Sequence, residues 1–166
     1  MQTPKPIPTS FARETFFAVS AFKFTNADRA ARYGRYQVLP AAGNEYFDEK
    51  GAAAKASNFL FDEIQERIAK EAVQFRIVVQ LAEDGDIVDD ATIRWPEDRR
   101  KIAFGEISLT AVATNNASEQ QQIIFDPIPR VDGIEASNDP LFDARANIYL
   151  MSGRRRRAAG RALSAP

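Results

Sequence analysis

The sequence predicts an α+β fold in which an antiparallel β-sheet is combined with two helices. Four segments alternate polar and apolar residues and end at turn residues, as half-buried strands do. Two other segments repeat their apolar residues every three to four positions, which is typical of amphipathic helices. With 166 residues, 45% of them hydrophobic and 27% charged, the chain suits one globular domain with a core of its own.

The strands are predicted at four places along the chain: residues 15–25, 32–40, 73–82 and 101–113. The first strand puts five side chains on one face: Phe16, Ala18, Ser20, Phe22 and Phe24. Four strands form a sheet but seldom close a barrel. The Phe-rich face is therefore expected to need a partner from outside this chain.

Two helices are predicted. The first covers about residues 50–71, because Leu60, Ile64 and Ile68 recur at i, i+4 and i+8 with charged residues mostly opposite. The second covers residues 139–152 and follows two residues whose side chains can cap a first turn, Ser137 and Asn138.

The rest of the chain is expected to be irregular. Residues 1–14 begin with a Pro-rich, extended segment, and residues 114–137 show no clear period. The predicted organisation is an extended segment, a partial domain over residues 15–152 and a basic, flexible tail over residues 153–166. The first ten residues lack the apolar core of a signal peptide, which leaves a cytoplasmic or a periplasmic location open.

Composition excludes several kinds of chemistry. The chain has no Cys, so disulfides, thiolate nucleophiles and thiolate metal ligands are absent. It also has no His, the usual general base near neutral pH and the commonest transition-metal ligand. The net charge of −1 favours neither nucleic acid nor membrane, and no apolar run approaches the ~18 residues that cross a bilayer.

Two charged segments have simple interpretations. Residues 82–98 hold seven acidic residues, but their spacing does not fit a calcium-binding EF-hand loop and predicts a solvated turn. Nothing in the sequence places two carboxylates against an apolar pocket, as glycoside hydrolysis needs.

The arginines after Gly153 can contact phosphates, remain solvated, or pair with carboxylates of a cofactor. No aromatic residues are interleaved with them, which argues against nucleic acid.

The pair Arg145 and Tyr149 is the candidate metal site of the sequence. A tyrosine on a helix is more often a packing residue than a ligand, and a protonated phenol binds metal poorly. At a spacing of four residues, however, Arg145 lies on the same helix face and its fixed positive charge favours the phenolate. Ferric iron prefers such an anionic oxygen, and the pattern therefore fits a tyrosine-ligated haem iron.

The surrounding residues resemble the monofunctional haem catalase family, and more closely its short, catalase-related peroxidase branch. The similarity covers about Phe16 to Arg157 in order and spacing, with segments such as SAFKFTNADRAARYGRYQVLP and FRIVVQLAEDGD. Its most specific anchors are Phe-Asp-Pro at 125–127, Gly-Ile-Glu at 133–135, and Arg145 with Tyr149.

The resemblance implies roles for individual residues. Tyr149 matches the proximal ligand of the haem iron, Arg145 the arginine that contacts its phenolate, and Asp139 an acid that helps to orient this arginine. Pro127 and Leu141 match residues that line the proximal haem face, and Arg156 matches a base that pairs with a haem propionate. The implied activity is haem-dependent decomposition of hydrogen peroxide or small organic hydroperoxides, with a homo-oligomer as one expected assembly.

The chain also departs from the family pattern. The distal His and Asn of the family precede the segment that corresponds to Phe16, and no His is present here. Gln37 stands where the family commonly has a His behind the proximal arginine. The interpretation is the C-terminal half of a catalase-like protein, inactive alone, in which the antiparallel sheet forms part of a catalase-like β-barrel and the C-terminal helix carries the proximal Tyr. The alternative is a non-catalytic haem-binding or regulatory module.

Overall fold

The protein is described by a computed structural model that covers residues 6–163, with the backbone only for residues 160–163. Within this range the strands are β1 (Phe16–Phe17), β2 (Phe22–Thr25), β3 (Ala31–Pro40), β4 (Val73–Leu81), β5 (Lys101–Leu109) and β6 (Ile134–Ala136). The helices are α1 (Glu49–Ala53), α2 (Phe59–Lys70), α3 (Asn116–Gln122) and α4 (Leu141–Leu163). None of the helices in this range combines the length and apolar character that crossing a membrane requires.

The strands form one sheet in the order β5-β4-β3-β2-β6, and β1 pairs separately with β3. Strand β2 is antiparallel to both of its neighbours, with Phe22 opposite Gly34 of β3 and opposite Ala136 of β6. The predicted antiparallel sheet with helices is confirmed as the fold class. The four expected strands become six among the described residues, because one predicted strand is interrupted and an unpredicted one is present.

The predicted strand over residues 15–25 is interrupted between β1 and β2. Phe16 pairs with Val38, whereas Phe22 pairs with Gly34, so the two strands meet β3 in registers that differ by two residues. The intervening chain holds two more residues than β3 does opposite it, which is the property of a bulge. The side chain of Ser20 is buried in this bulge.

The single helix predicted over residues 50–71 is wrong, since the chain bends between α1 and α2. The rings of Phe47 and Phe59 pack with their centroids 5.7 Å apart. A continuous helix would separate two residues twelve positions apart by about 18 Å. The side chain of Asp48 caps α1 by accepting a hydrogen bond from the amide of Gly51.

The other two boundary predictions also need correction. Residues 114–137 are not wholly irregular, because they contain α3 and β6. Helix α4 begins at Leu141, where the carboxylate of Asp139, rather than Ser137 or Asn138, accepts a hydrogen bond from the amide of Leu141. It continues beyond Ser152 to Leu163, whereas residues 164–166 of the predicted tail lie outside the described range.

Two compact units divide the chain, and each has its own buried residues. The first holds residues 1–17, 36–79 and 102–112, and its core is Ala12, Val73 and Phe75. Side chains from α2 and the strands pack on this core: Val38, Ile64, Ile68, Ile107 and Leu109.

The second unit holds residues 18–35, 80–101 and 113–166, and therefore all of α4. Its buried apolar residues include Ala21, Trp95 and Phe142. The rings of Phe22 and Phe142 meet edge to face at 5.1 Å, which fixes the first turn of α4 against β2.

Candidate functional site

Helix α4 carries most of the residues singled out in the sequence on one of its faces. At 3.6 residues per turn, Leu141, Arg145, Tyr149 and Arg156 fall within a sector of about 80°. The Tyr149 edge of this sector adjoins the buried residues Phe142 and Gly153, whereas Ile148 and Met151, beyond its other edge, are more than half exposed. The candidate ligand therefore lies on the inward side of the helix.

Arg145 and Tyr149 are in direct contact. The Nη2 atom of Arg145 donates a hydrogen bond to the phenol oxygen of Tyr149 over 3.3 Å, and its guanidinium carbon lies 5.4 Å from the centre of the ring. Both side chains are partly buried. The contact at a spacing of four residues was predicted, because residues one turn apart share a helix face. A guanidinium in this position stabilises negative charge on the phenol oxygen.

Arg156 joins α4 to the segment that follows α3. One guanidinium nitrogen donates to the carbonyl of Ile123, and Nη1 donates to the Ser152 hydroxyl over 2.7 Å. The same guanidinium lies 5.2 Å from the centre of the Phe125 ring, and its Nε atom is buried without a hydrogen-bond partner. Arg156 thus has a structural role in addition to any role toward a ligand.

The other residues predicted for the site are Leu141, Pro127 and Asp139, and they lie in different parts of the second unit. Leu141 is the first residue of α4, two turns before Tyr149, and Pro127 is a half-buried residue in the loop between α3 and β6. Asp139 is 5% exposed and caps the first turn of α4. Its carboxylate makes no hydrogen bond or ion pair with Arg145 in the described part of the chain, and its predicted orienting role stays a prediction.

Sequence reasoning missed a buried cation in the same unit. Arg35 of β3 is 7% exposed, and its guanidinium stacks 4.3 Å above the ring of Trp95. Desolvation by burial lowers the pKa of Arg35, although the acidic groups Asp139, Asp86 and Asp90 act in the opposite direction. The alternation of residues along β3 predicts burial on one face, but nothing local indicates that an arginine would tolerate it.

The acidic segment behaves as a turn, as its composition predicts. Arg99 Nε donates to Asp86 over 2.9 Å, and the indole of Trp95 donates to the carbonyl of Ile87 over 2.8 Å. The hydrogen bond from Arg99 lowers the pKa of Asp86 below its usual value. Among residues 6–159, no three acidic side chains converge in a way that could hold a metal ion.

Solved structures with the same fold are catalases. Catalase A from Saccharomyces cerevisiae superposes with a TM-score of 0.79 over 90% of this chain and 33% of that one, at 21% sequence identity. A fungal catalase and a bacterial catalase each give a TM-score of 0.78 over 90% of this chain, at 22% identity. These similarities confirm the catalase-like α+β fold.

Sequence comparison gives the family. The sequence profile of the Catalase family matches residues 1–162, and the chain therefore belongs to the catalase family. A catalase-related peroxidase from Synechococcus elongatus is 34% identical over 145 residues, which cover 87% of this chain and 43% of that protein. One from Mycolicibacterium paratuberculosis is 32% identical over 160 residues, covering 96% and 51%. The chain thus spans about half the length of these curated relatives.

Proposed function

We propose that this chain supplies the proximal side of a haem site, in which Tyr149 would bind the iron. The observation that carries the proposal is the 3.3 Å hydrogen bond from Arg145 to the phenol oxygen of Tyr149, in a chain of the catalase family. The cation of Arg145 stabilises the phenolate, which is the form that binds iron. Ferric iron in turn prefers this anionic oxygen to the neutral donors of the chain.

The neighbouring residues fit a haem in their chemistry. A porphyrin needs apolar side chains against its faces and cations for its propionates. Phe125 is 53% exposed beside the guanidinium of Arg156, which places an apolar ring next to a positive charge. Pro127 and Leu141 would line the proximal face. A propionate would pair with Arg156 through its unpartnered Nε atom or in place of the Ile123 carbonyl.

For the whole protein we propose haem-dependent decomposition of hydrogen peroxide, of the catalase or peroxidase type. Bound haem supplies the redox chemistry of the peroxide. The chain supplies the negative charge of Tyr149 on the proximal side, and Arg145 holds that charge in place. The 166 residues contain no His to move the peroxide proton, so this part of the reaction is assigned to residues outside the sequence.

A haem titration of the purified chain, followed by absorbance, tests the proximal site. We expect saturable binding with phenolate-to-iron charge-transfer bands, and loss of those bands in Tyr149→Phe. Tyr46→Phe is the matched control, because Tyr46 bonds Glu14 over 3.0 Å in the other compact unit. Bands that persist in Tyr149→Phe, or that vanish equally in Tyr46→Phe, would overturn the assignment.

The absence of His from the sequence also supports a second candidate, a haem-binding or regulatory module without turnover. Such a module would show the same charge-transfer bands as the proximal half of an enzyme. The two candidates differ in the peroxide turnover of the longest natural form of the protein loaded with haem. Turnover well above that of free haemin would support the enzyme, and its absence would support the module.

A further inference from the structure

Arg35 is a charged side chain that the proposed haem site does not use. Its guanidinium is fixed on three sides: Nη1 donates to the carbonyl of Ile93 over 2.8 Å, Nη2 donates to the carbonyl of Asp90 over 3.3 Å, and the plane stacks on Trp95. Two carbonyls compensate part of the cost of burying the cation, but neither is an anion. The Nε atom of Arg35 is buried and has no hydrogen-bond partner. A buried charge of this kind requires an opposite charge nearby.

Asp139 is a buried acid that also has a polar atom without a hydrogen-bond partner. One carboxylate oxygen accepts the amide of Leu141 over 2.9 Å, while Oδ2 is buried without a partner. Of the acidic groups around Arg35, Asp139 does most to raise the pKa of the guanidinium, against the lowering by burial. A buried cation and a buried anion in the same unit therefore each keep one unsatisfied polar atom.

The sheet register brings Arg35 close to the segment that carries Asp139, although no direct ion pair joins the two in the described part of the chain. Phe22 lies opposite Gly34 on one side and opposite Ala136 on the other. Extended by one residue, these registers put Ala21, which precedes Phe22, between Arg35 and Ser137, two residues before Asp139. The amide of Ser137 bonds the carbonyl of Ala21 over 3.2 Å, which continues the β2–β6 pairing. Side chains opposite one another in antiparallel strands share a face, and two strand spacings are about 10 Å. Ala21 is fully buried and small, which leaves the path across β2 open to the long side chain of Arg35.

We propose that Arg35 is a positioning residue for the Tyr149 site, because its charge holds the Asp139 carboxylate at the start of α4. This inference rests on the proposed function of Tyr149. Leu141 and Tyr149 are eight residues apart, or about 12 Å along one rigid helix. A shift of the first turn is therefore transmitted to the phenol oxygen, where displacements of about 1 Å matter for ligation and catalysis.

Gln37 lies near Arg35 on β3, but it has no charge with which to pair with Asp139. Gln37 follows Arg35 by two residues on β3, so both belong to the same face, and both are buried. An amide side chain carries no charge, whereas Asp139 is an acid. In this chain the cation on that face of β3 is Arg35.

A double-mutant cycle between Arg35 and Asp139 tests the pairing in the full 166-residue chain. The variants are Arg35→Gln, Asp139→Asn and the double variant, with Arg35→Lys as a milder change that keeps the charge. Lys23→Gln is the matched control, because Lys23 of β2 pairs with Glu135 of β6 over 2.8 Å in the same sheet but at the surface. Amide hydrogen exchange is measured at residues 142–145, and haem binding is followed by the phenolate charge-transfer bands.

We expect Arg35→Gln to accelerate exchange at residues 142–145 by about tenfold, with a much smaller effect from Lys23→Gln. The double variant should exchange no faster than Asp139→Asn, since the partner is already lost. Arg35→Lys should restore most of the protection and most of the charge-transfer intensity.

Two results would overturn the proposal. The first is an exchange rate in the double variant that is raised by the product of the factors measured for Arg35→Gln and Asp139→Asn alone. This would mean that Arg35 and Asp139 act independently. The second is charge-transfer bands in Arg35→Gln as intense as in the unmodified chain, which would mean that Arg35 does not position Tyr149. If the unmodified chain shows no bands at all, the proposed haem site fails, whereas the exchange cycle still decides whether Arg35 holds the start of α4.

Discussion

The Nη2 atom of Arg145 lies 3.3 Å from the phenol oxygen of Tyr149, one turn further along α4. The spacing is set by the helix, because residues four apart share one helix face. An arginine in this position keeps its charge at any physiological pH. Its donor is therefore placed where the proposed phenolate ligand would need a charge-assisted hydrogen bond.

Replacement of Arg145 by Gln should weaken this site while leaving the helix intact. We expect haem affinity at pH 7 to fall by about tenfold, with weaker phenolate charge-transfer bands, because a charge-assisted hydrogen bond is lost. The measurement is an absorbance titration with haem. Arg154→Gln is the control, since Arg154 is exposed on the same helix. Equal losses in the two variants would point to general charge attraction instead.

Arg156 should contribute to the stability of the fold as well as to the proposed binding of a haem propionate. Replacing it by Gln removes the donors to the Ile123 carbonyl and to Ser152, and should lower the free energy of unfolding by about 1–3 kcal/mol. Ser152→Ala should cost less, about 1 kcal/mol, because the carbonyl contact survives. Urea denaturation monitored by circular dichroism measures both values. Arg155→Gln serves as the control, because Arg155 is exposed on the same helix; a loss there as large as in Arg156→Gln would contradict the bracing role.

Local patterns were sufficient for the parts of the structure that depend on neighbours in sequence. The contact of Arg145 with Tyr149 follows from helical spacing, and the sheet follows from alternation. The bend between α1 and α2 did not, because five residues of an alanine-rich stretch favour helix locally while Phe47 and Phe59 pack together across it. Helix α4 continues past Ser152 because arginines are good helix formers, and contacts of Arg156 and Arg157 with the carbonyls of Ile123 and Gln122 at the end of α3 stabilise it.

The least predictable part of the site is the pairing of Arg35 with Asp139. It depends on the register of three strands and on the small size of Ala21, and neither is encoded in one short stretch of sequence. The same is true of the bulge between β1 and β2, where two extra residues change the register. The resemblance implies that Asp139 helps to orient Arg145, which stays a prediction, and the structure adds that its carboxylate caps α4.

Gly153 should resist substitution despite its place inside a helix. A Cβ atom at this position would lie 3.1 Å from the Cγ1 atom of Ile124, so the segment after α3 must move slightly to accept it. Alanine in a helix interior gains about 1 kcal/mol over glycine, and we expect this gain to be largely cancelled in Gly153→Ala. Gly153→Val should destabilise by about 1–3 kcal/mol. Thermal denaturation measures both, and an increase in stability in Gly153→Val would show that Ile124 does not restrict this face.

The ion pair of Asp86 with Arg99 should make stability depend on acid pH. The side chain of Asp86 is 8% exposed, and the hydrogen bond from Arg99 lowers the pKa of this carboxyl below its usual value. A lowered folded-state pKa contributes stability above the unfolded value, and this contribution is lost as the pH falls through the folded value. Asp86→Asn should therefore be less stable than the unmodified chain at pH 7, and the difference should shrink steadily below about pH 4. Denaturation curves between pH 2.5 and 7 measure this difference, which would stay constant if the pair contributed nothing.

The haem-loaded 166-residue chain should decompose hydrogen peroxide no faster than free haemin. In the proposed site Tyr149 and Arg145 would stabilise charge on one side of the iron, but cleavage of the peroxide bond also requires a group that moves its proton, for which His is the usual choice near neutral pH. The sequence contains none. Oxygen evolution is measured with equal haem concentrations for the chain, its Tyr149→Phe variant and haemin alone. Turnover far above haemin that disappears in Tyr149→Phe would show that the proximal side is sufficient for catalysis, and that another side chain, of the Asp, Glu or Arg type, moves the proton.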